Sequence, residues 1–152
     1  MKVIIFGFGS IGKKHAALLL EMKEYELFLF KRERRLPLND LLIDEVYSWD
    51  EVEKIAPDVA FITNPTSLHI KTEIKCALSG MHLFIEKPID SKIDGLNKLL
   101  SIAKQKQLTT YVAYDLRFHP VIQKLKELIV NSEDNLLHLR AISSSYLPRW
   151  RP

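Results

Sequence analysis

Residues 2–12, Lys2-Val3-Ile4-Ile5-Phe6-Gly7-Phe8-Gly9-Ser10-Ile11-Gly12, decide the fold. An apolar run of β-forming residues ends on Gly-x-Gly-x-x-Gly and feeds directly into a helix-compatible stretch. In that context Gly7 permits the tight turn, Gly9 lets the backbone approach a diphosphate, and Gly12 lets the helix pack closely against the strand. The helix start, with Ser10 and Ile11, offers free N–H groups to the anion. Flexible loops match the same spacing by chance and methyltransferases use a relative of it, so the weight rests on its place between a strand and a helix.

Outward from this turn, short β-rich runs alternate with helical periodicity. Strands at 2–7, 26–31, 44–47, 58–63, 82–86 and 110–114 predict βαβ units and an α/β, doubly wound parallel sheet covered on both faces. Ile70, Ile74 and Leu78 make one apolar helical stripe that stops at Gly80, and Ile93, Leu96, Leu100 and Ala103 make the next. Residues 34–43 are the least regular, and Pro37 argues against a long helix there, so a short second crossover is expected.

A helix at about 119–131 carries Ile122, Leu125, Leu128 and Ile129, and Asn131-Ser132-Glu133-Asp134-Asn135 breaks it as a polar turn. Leu137, Leu139 and Ala141 then alternate with His138, Arg140 and Ile142, the pattern of a strand with one buried face. It reads as the first strand of a second, α+β domain, expected to pair with another copy in a homo-oligomer, to dock on the parent sheet or to be disordered. The expected division is a dinucleotide-binding Rossmann domain at 1–120, then a linker helix and the start of a truncated C-terminal substrate domain at 121–152.

With 152 residues the chain can bury one core and is too short for two full domains. Its 47% hydrophobic and 27% charged residues are those of an ordinary globular protein. A net charge of +3 is a weak argument for nucleic acid, and the basic residues form no stripe with interleaved aromatics. The single cysteine, Cys76, can make neither an internal disulfide nor a cysteine metal cluster, which fits a cytoplasmic location and no bound metal. No apolar run approaches the roughly 18 residues that span a bilayer. Lys13, Lys14 and His15 also stand where a signal peptide would need small residues, so neither membrane nor secretion is expected.

In an open α/β sheet, ligands bind beyond the carboxyl ends of the strands, which directs attention to the residues after each strand. After the second strand, Lys31-Arg32 occupies the place where an NAD-binding domain usually carries an acid for the ribose. A basic pair attracts a 2′-phosphate and so favours NADP over NAD; the alternative is a solvated basic turn with Glu33 as the ribose ligand. After the fourth strand, Thr63-Asn64-Pro65-Thr66-Ser67-Leu68-His69 reads as a tight strand-to-helix turn, with Pro65 holding Asn64 extended and Thr66 able to cap the helix. His69, taken alone, is an ordinary surface or packing histidine. After the fifth strand, Pro88 forces Lys87 to be extended in Glu86-Lys87-Pro88 and directs its ammonium to the cofactor side. There it can bind a hydroxyl-bearing or anionic substrate and stabilise a developing alkoxide. After the sixth, Arg117 and His119 either meet a polar ligand or, with Phe118, serve packing, and packing carries more weight.

Taken in order, Gly7–Gly12, Asn64-Pro65-Thr66 with His69, Glu86-Lys87-Pro88 and the stretch Tyr114-Asp115-Leu116-Arg117-Phe118-His119-Pro120 resemble the N-terminal Rossmann domain of the glucose-fructose oxidoreductase / inositol dehydrogenase (Gfo/Idh/MocA) family. The resemblance covers about residues 1–120. It implies an NAD- or NADP-dependent oxidoreductase that transfers hydride to or from a sugar, cyclitol or nucleotide sugar, with Lys87 as the catalytic lysine. On the residue reading above, Gly7, Gly9, Ser10, Ile11 and Gly12 are expected to hold the pyrophosphate and Lys31 and Arg32 the adenosine end. Asn64, Pro65, Thr66 and His69 would line the cleft, Glu86 and Lys87 would approach the nicotinamide, and Arg117 would add a contact.

Two departures matter. Members of the family commonly place an acid where Lys31 stands. Their second domain, a large open sheet that forms the substrate wall, would begin where this sequence ends, so this chain is expected to bind cofactor and turn over poorly or not at all. The tail at 145–152 is similar to stretches in members linked to surface-sugar biosynthesis. The rival reading is a non-catalytic nucleotide-binding or interaction module, and a methyltransferase stands third because Lys31 occupies a place where an adenosyl ribose also wants an acid.

Overall fold

The computed structural model describes residues 1–33, 41–132, 138, 140 and 142. Six strands follow the sequence expectation: β1 (Lys2–Phe6), β2 (Glu26–Phe30), β3 (Asp44–Val46), β4 (Val59–Ile62), β5 (His82–Ile85) and β6 (Thr110–Val112). They form one sheet in the order β3-β2-β1-β4-β5-β6, every pair parallel. The order reverses between β1 and β4, the place where an open α/β sheet parts to receive a ligand.

β1 is central, so both of its faces are buried and it reads as a continuous apolar run. Ile4 and Phe6 point to one face, packing with Val52 of α2 (Trp49–Ile55), Cys76 and Ala77 of α3 (His69–Leu78), and Leu99 and Ile102 of α4 (Leu96–Gln105). Val3 and Ile5 point to the other face, where they meet Ala16 and Leu19 of α1 (Ser10–Met22). Coverage of this second face is narrower than expected. Within this part of the chain α1 packs over β1 and β2, and the stacked Phe61 and Phe84, followed by Tyr111, remain half-exposed on β4, β5 and β6.

The helical stripes are rotated from their expected positions. On α3 the buried residues are His69, Glu73, Cys76 and Ala77, while Leu78 is exposed and Ile70 and Ile74 are half-buried. A Cβ on Gly95 would lie 2.8 Å from Ile70, so this stripe meets the start of α4 at the margin of the core. α4 begins only at Leu96, Ile93 and Leu100 are exposed, and Leu99, Ile102 and Ala103 are buried. Gly80 does end α3: at φ +85 it lets Met81 N–H reach the Cys76 carbonyl and Gly80 N–H the Ala77 carbonyl.

The chain divides into two compact units, Met1–Tyr114 and a second that starts at Asp115, ahead of the expected boundary at 120. The second unit holds a short 3-10 turn, Asp115–Phe118, and α5 (Pro120–Val130), whose first turn is closed by His119 accepting from Val121 N–H. Residues 34–40 and most of the strand expected at 137–142 lie outside the described residues.

Candidate cofactor site and strand-end lysine

The glycine turn leaves β1 at the switch point. Gly7 has φ +104, and a Cβ there would lie 2.5 Å from the backbone of Asn64. Gly12 is equally confined, since its Cβ would stand 2.1 Å from the Gly7 carbonyl and 2.9 Å from Thr63 Oγ1. Gly9 differs: nothing lies within 4 Å of where its Cβ would be. It precedes Ser10 and Ile11, all three exposed, and no side chain caps the helix they begin. At such an uncapped helix start, unpaired N–H groups and the helix dipole both favour an anion.

The turn after β4 locks onto this glycine loop. The buried Thr63 hydroxyl lies 2.6 Å from the Gly7 carbonyl and 3.1 Å from that of Phe6, donating to them. Asn64 donates from Nδ2 to Thr72 Oγ1 at 2.9 Å, whereas its buried Oδ1 has no partner among the described residues. An orphaned acceptor beside the glycine turn fits a hydroxyl or amide group of a dinucleotide. Thr66 does not cap α3 as expected; a 3-10 turn, Thr66–Leu68, opens the helix, and neither Pro65 nor Leu68 makes a capping side-chain bond.

His69 sits at the first residue of α3 and is buried, unlike an ordinary surface histidine. Its Nε2 is 2.7 Å from the Asn64 carbonyl and its Nδ1 is 3.0 Å from the Pro88 carbonyl, so both ring nitrogens are taken by backbone and neither is left for a cofactor. Glu73, one turn on, is fully buried, and neither of its oxygens has a hydrogen-bond partner among the described residues. Burial, and secondarily the Asp90 charge, push its carboxyl up to about 8.

At the end of β5, Glu86 Oε1 is 2.8 Å from His15 Nε2, which fastens this carboxylate to α1. Lys87 is exposed, and its ammonium makes no hydrogen bond or ion pair among the described residues. The Lys87-Pro88 peptide is cis. The two expected adenosine-end cations part company. Lys31 Nζ is 2.5 Å from Glu45 Oε1 on β3, and Tyr47 donates to the other oxygen of Glu45, whereas Arg32 is exposed. Arg117, in the second unit, is exposed with its guanidinium over the Phe118 ring at 5.7 Å.

His15, Thr63 and Glu73 were not singled out by sequence reasoning. Thr63 carried a usable signal, being the last polar residue of a strand that ends at the ligand edge; His15 and Glu73 sit in helical periodicity that gives no hint of their partners. Among the described residues no three His, Cys, Asp or Glu side chains cluster as metal ligands, and no helix is long and apolar enough to cross a membrane.

A parallel sheet with a glycine turn and an uncapped helix start at its switch point defines a dinucleotide-binding Rossmann domain. Residues 1–114 match the GFO_IDH_MocA family, described as an oxidoreductase family with an NAD-binding Rossmann fold, and the chain belongs to it. It is 23% identical to a myo-inositol 2-dehydrogenase of Thermotoga maritima over 95% of this chain and 45% of that protein. It is 29% identical to scyllo-inositol 2-dehydrogenase (NADP(+)) IolW of Bacillus subtilis over 100% of this chain and 43% of that one. The WlbA dehydrogenase of Chromobacterium violaceum, solved with NADH and UDP-GlcNAcA, superposes with a TM-score of 0.75 at 20% identity, covering 86% of this chain and 39% of its own. The chain thus spans under half the length of these relatives.

Proposed function

We propose that this chain is the cofactor-binding half of a nicotinamide-dependent oxidoreductase acting on a sugar, cyclitol or nucleotide-sugar carbinol. The observation that carries this reading is the open space at Gly9 beside an uncapped helix, on the same sheet edge as the exposed Lys87 ammonium, which has no partner among the described residues. Gly9, Ser10 and Ile11 hold the pyrophosphate through backbone N–H groups, and Asn64 Oδ1 accepts from a donor of the cofactor. The nicotinamide, when bound, supplies the hydride acceptor or donor. Lys87 donates a hydrogen bond from Nζ to the reacting oxygen and stabilises charge that develops there.

NADP is favoured over NAD, with Arg32 as the selecting cation, because it remains exposed while Glu45 neutralises Lys31. The relative named for NADP(+) supports that preference. The test is fluorescence titration of the chain with NADH and NADPH, alongside Lys87→Ala in the longest natural form of the protein. Cofactor binding retained to within about threefold with turnover lost is the expected result for Lys87→Ala, the pattern of an interaction made only in the transition state. Equal loss of both overturns the assignment.

A further inference from the structure

We propose that His15 is a positioning residue for Lys87: it holds the Glu86 carboxylate, and that carboxylate holds the backbone from which the Lys87 side chain departs. The helix that starts at the glycine turn thereby sets where the ammonium stands. The catalytic part of this rests on the reading of Lys87 given above; the contacts themselves do not.

The sheet releases the chain just before Lys87. Glu86 N–H still donates to the Ile62 carbonyl of β4, and the Ile85 carbonyl still accepts from Ala113 N–H. Lys87 N–H has no backbone partner among the described residues, and Pro88 has no N–H to offer. What receives the Lys87 N–H is the side chain of Glu86, whose Oε2 lies 3.3 Å away. The other oxygen, Oε1, is 2.8 Å from His15 Nε2. A carboxylate only accepts, so His15 and Lys87 both donate to it, and one acid bridges α1 to the lysine backbone.

His15 is placed to hold still. Its neighbour Ala16 is fully buried with Val3 and Ile5 of β1, and Gly12, one turn earlier, sits too close to the Gly7 carbonyl to bear a Cβ. The His15 ring meets Phe84 edge-on at 5.1 Å and Phe61 at 5.6 Å, and these two rings stack on each other at 4.5 Å. A side chain confined in this way has already lost the rotamer freedom that a hydrogen bond would otherwise cost it. Because the second oxygen of Glu86 is spent on Lys87 itself, the contact does more than join a helix to a sheet. An ammonium displaced by about 1 Å can lose on the order of 10²-fold in rate, so the anchor of its backbone matters to catalysis.

The test compares amide–water exchange at Lys87, measured by NMR, in this 152-residue chain and in variants of it. His15→Phe keeps a ring on Phe84 and Phe61 but has no donor, and His15→Gln restores one. An exposed strand-end amide exchanges by local opening, so a change in global stability alone does not move it. Lys87 is expected to exchange at least about threefold faster in His15→Phe and to return within about twofold of the parent in His15→Gln. Glu86→Gln, which leaves one oxygen for two donors, is expected to speed it as well and serves if His15→Phe does not fold. In the longest natural form of the protein, the turnover that Lys87→Ala removes should fall at least about tenfold in kcat in His15→Phe, with KM for NADPH within about threefold. A Lys87 exchange rate unchanged in His15→Phe or in Glu86→Gln overturns the proposal, as does His15→Gln exchanging as fast as His15→Phe. An unchanged kcat in His15→Phe overturns the positioning role. NADPH titration of the same samples reports separately on the cofactor reading, since a parent chain that binds none leaves the exchange comparison intact.

Discussion

His15 Nε2 lies 2.8 Å from Glu86 Oε1, and the His15 ring packs against Phe84 and Phe61 with centroids 5.1 and 5.6 Å away. The carboxylate that precedes Lys87 is thereby fastened to the helix that starts at the glycine turn. Both side chains are mostly buried, at 17% and 12% exposure, so this contact is screened less than a surface pair. It couples the two ends of the proposed cleft through α1.

Removing the histidine therefore leaves a largely desolvated carboxylate without its partner and opens space beside two aromatic rings. His15→Ala is expected to lower stability by roughly 2–4 kcal/mol in urea unfolding, the range for breaking a buried hydrogen-bonded charge. His15→Gln, which keeps a donor near the same place, is expected to lose less than half as much. Equal losses in the two variants would mean that ring packing, and not the tie to Glu86, sets the stability.

The glycines of the turn are expected to separate folding from binding. An alanine at Gly12 puts a Cβ 2.1 Å from the Gly7 carbonyl, a backbone atom that cannot swing aside, so Gly12→Ala should lose both stability and cofactor. An alanine at Gly9 meets nothing within 4 Å in the protein itself. Gly9→Ala should then unfold within about 0.5 kcal/mol of the parent, the usual range for a harmless exposed substitution. Its NADPH affinity should nevertheless fall at least tenfold, because the added methyl occupies the approach of the diphosphate. Unchanged affinity in Gly9→Ala would remove the turn from the binding site.

The strands and the glycine turn were legible because parallel strands buried on two faces give unmistakable apolar runs, and because the Gly7 and Gly12 positions tolerate no side chain. The helix faces were less so. On α3 the apolar pattern marks Ile70 and Ile74, yet the buried residues include His69 and Glu73, whose burial no hydrophobic pattern can announce. The strand-end positions of Lys87 and Asn64 followed from topology, but the partners of Lys31, Glu86 and His69 did not. Each of those partners, Glu45, His15 and the Pro88 carbonyl, is distant in sequence and becomes a neighbour only when the sheet is assembled.

Cys76 offers a direct probe of the core. It is fully buried, and burial, then the Glu73 charge, push its thiol far above the usual range, so little nucleophilic thiolate forms in the native state. Ellman's reagent at pH 8 is expected to release no colour from the folded chain within minutes, and one equivalent after denaturation, since the sequence holds a single cysteine. Rapid reaction of the native chain would show that α3 opens from the sheet on that timescale.

At the adenosine end, the pairing of Lys31 separates two cations that look alike in sequence. Glu45 is only 7% exposed in its side chain, so Lys31→Ala leaves a nearly buried carboxylate with the Tyr47 hydroxyl but no cation, and should cost roughly 1–3 kcal/mol of stability. Its effect on cofactor choice should be small, because the lysine charge is already spent on Glu45. Arg32→Ala breaks no ion pair among the described residues and should leave the unfolding midpoint unchanged. It should weaken NADPH about tenfold or more while leaving NADH within twofold, as expected for removal of a guanidinium that meets a 2′-phosphate. Parallel titrations of the parent and both variants with the two reduced nucleotides decide the matter. If NADH binds the parent more tightly than NADPH, or if Arg32→Ala weakens both alike, selection at this end does not rest on Arg32.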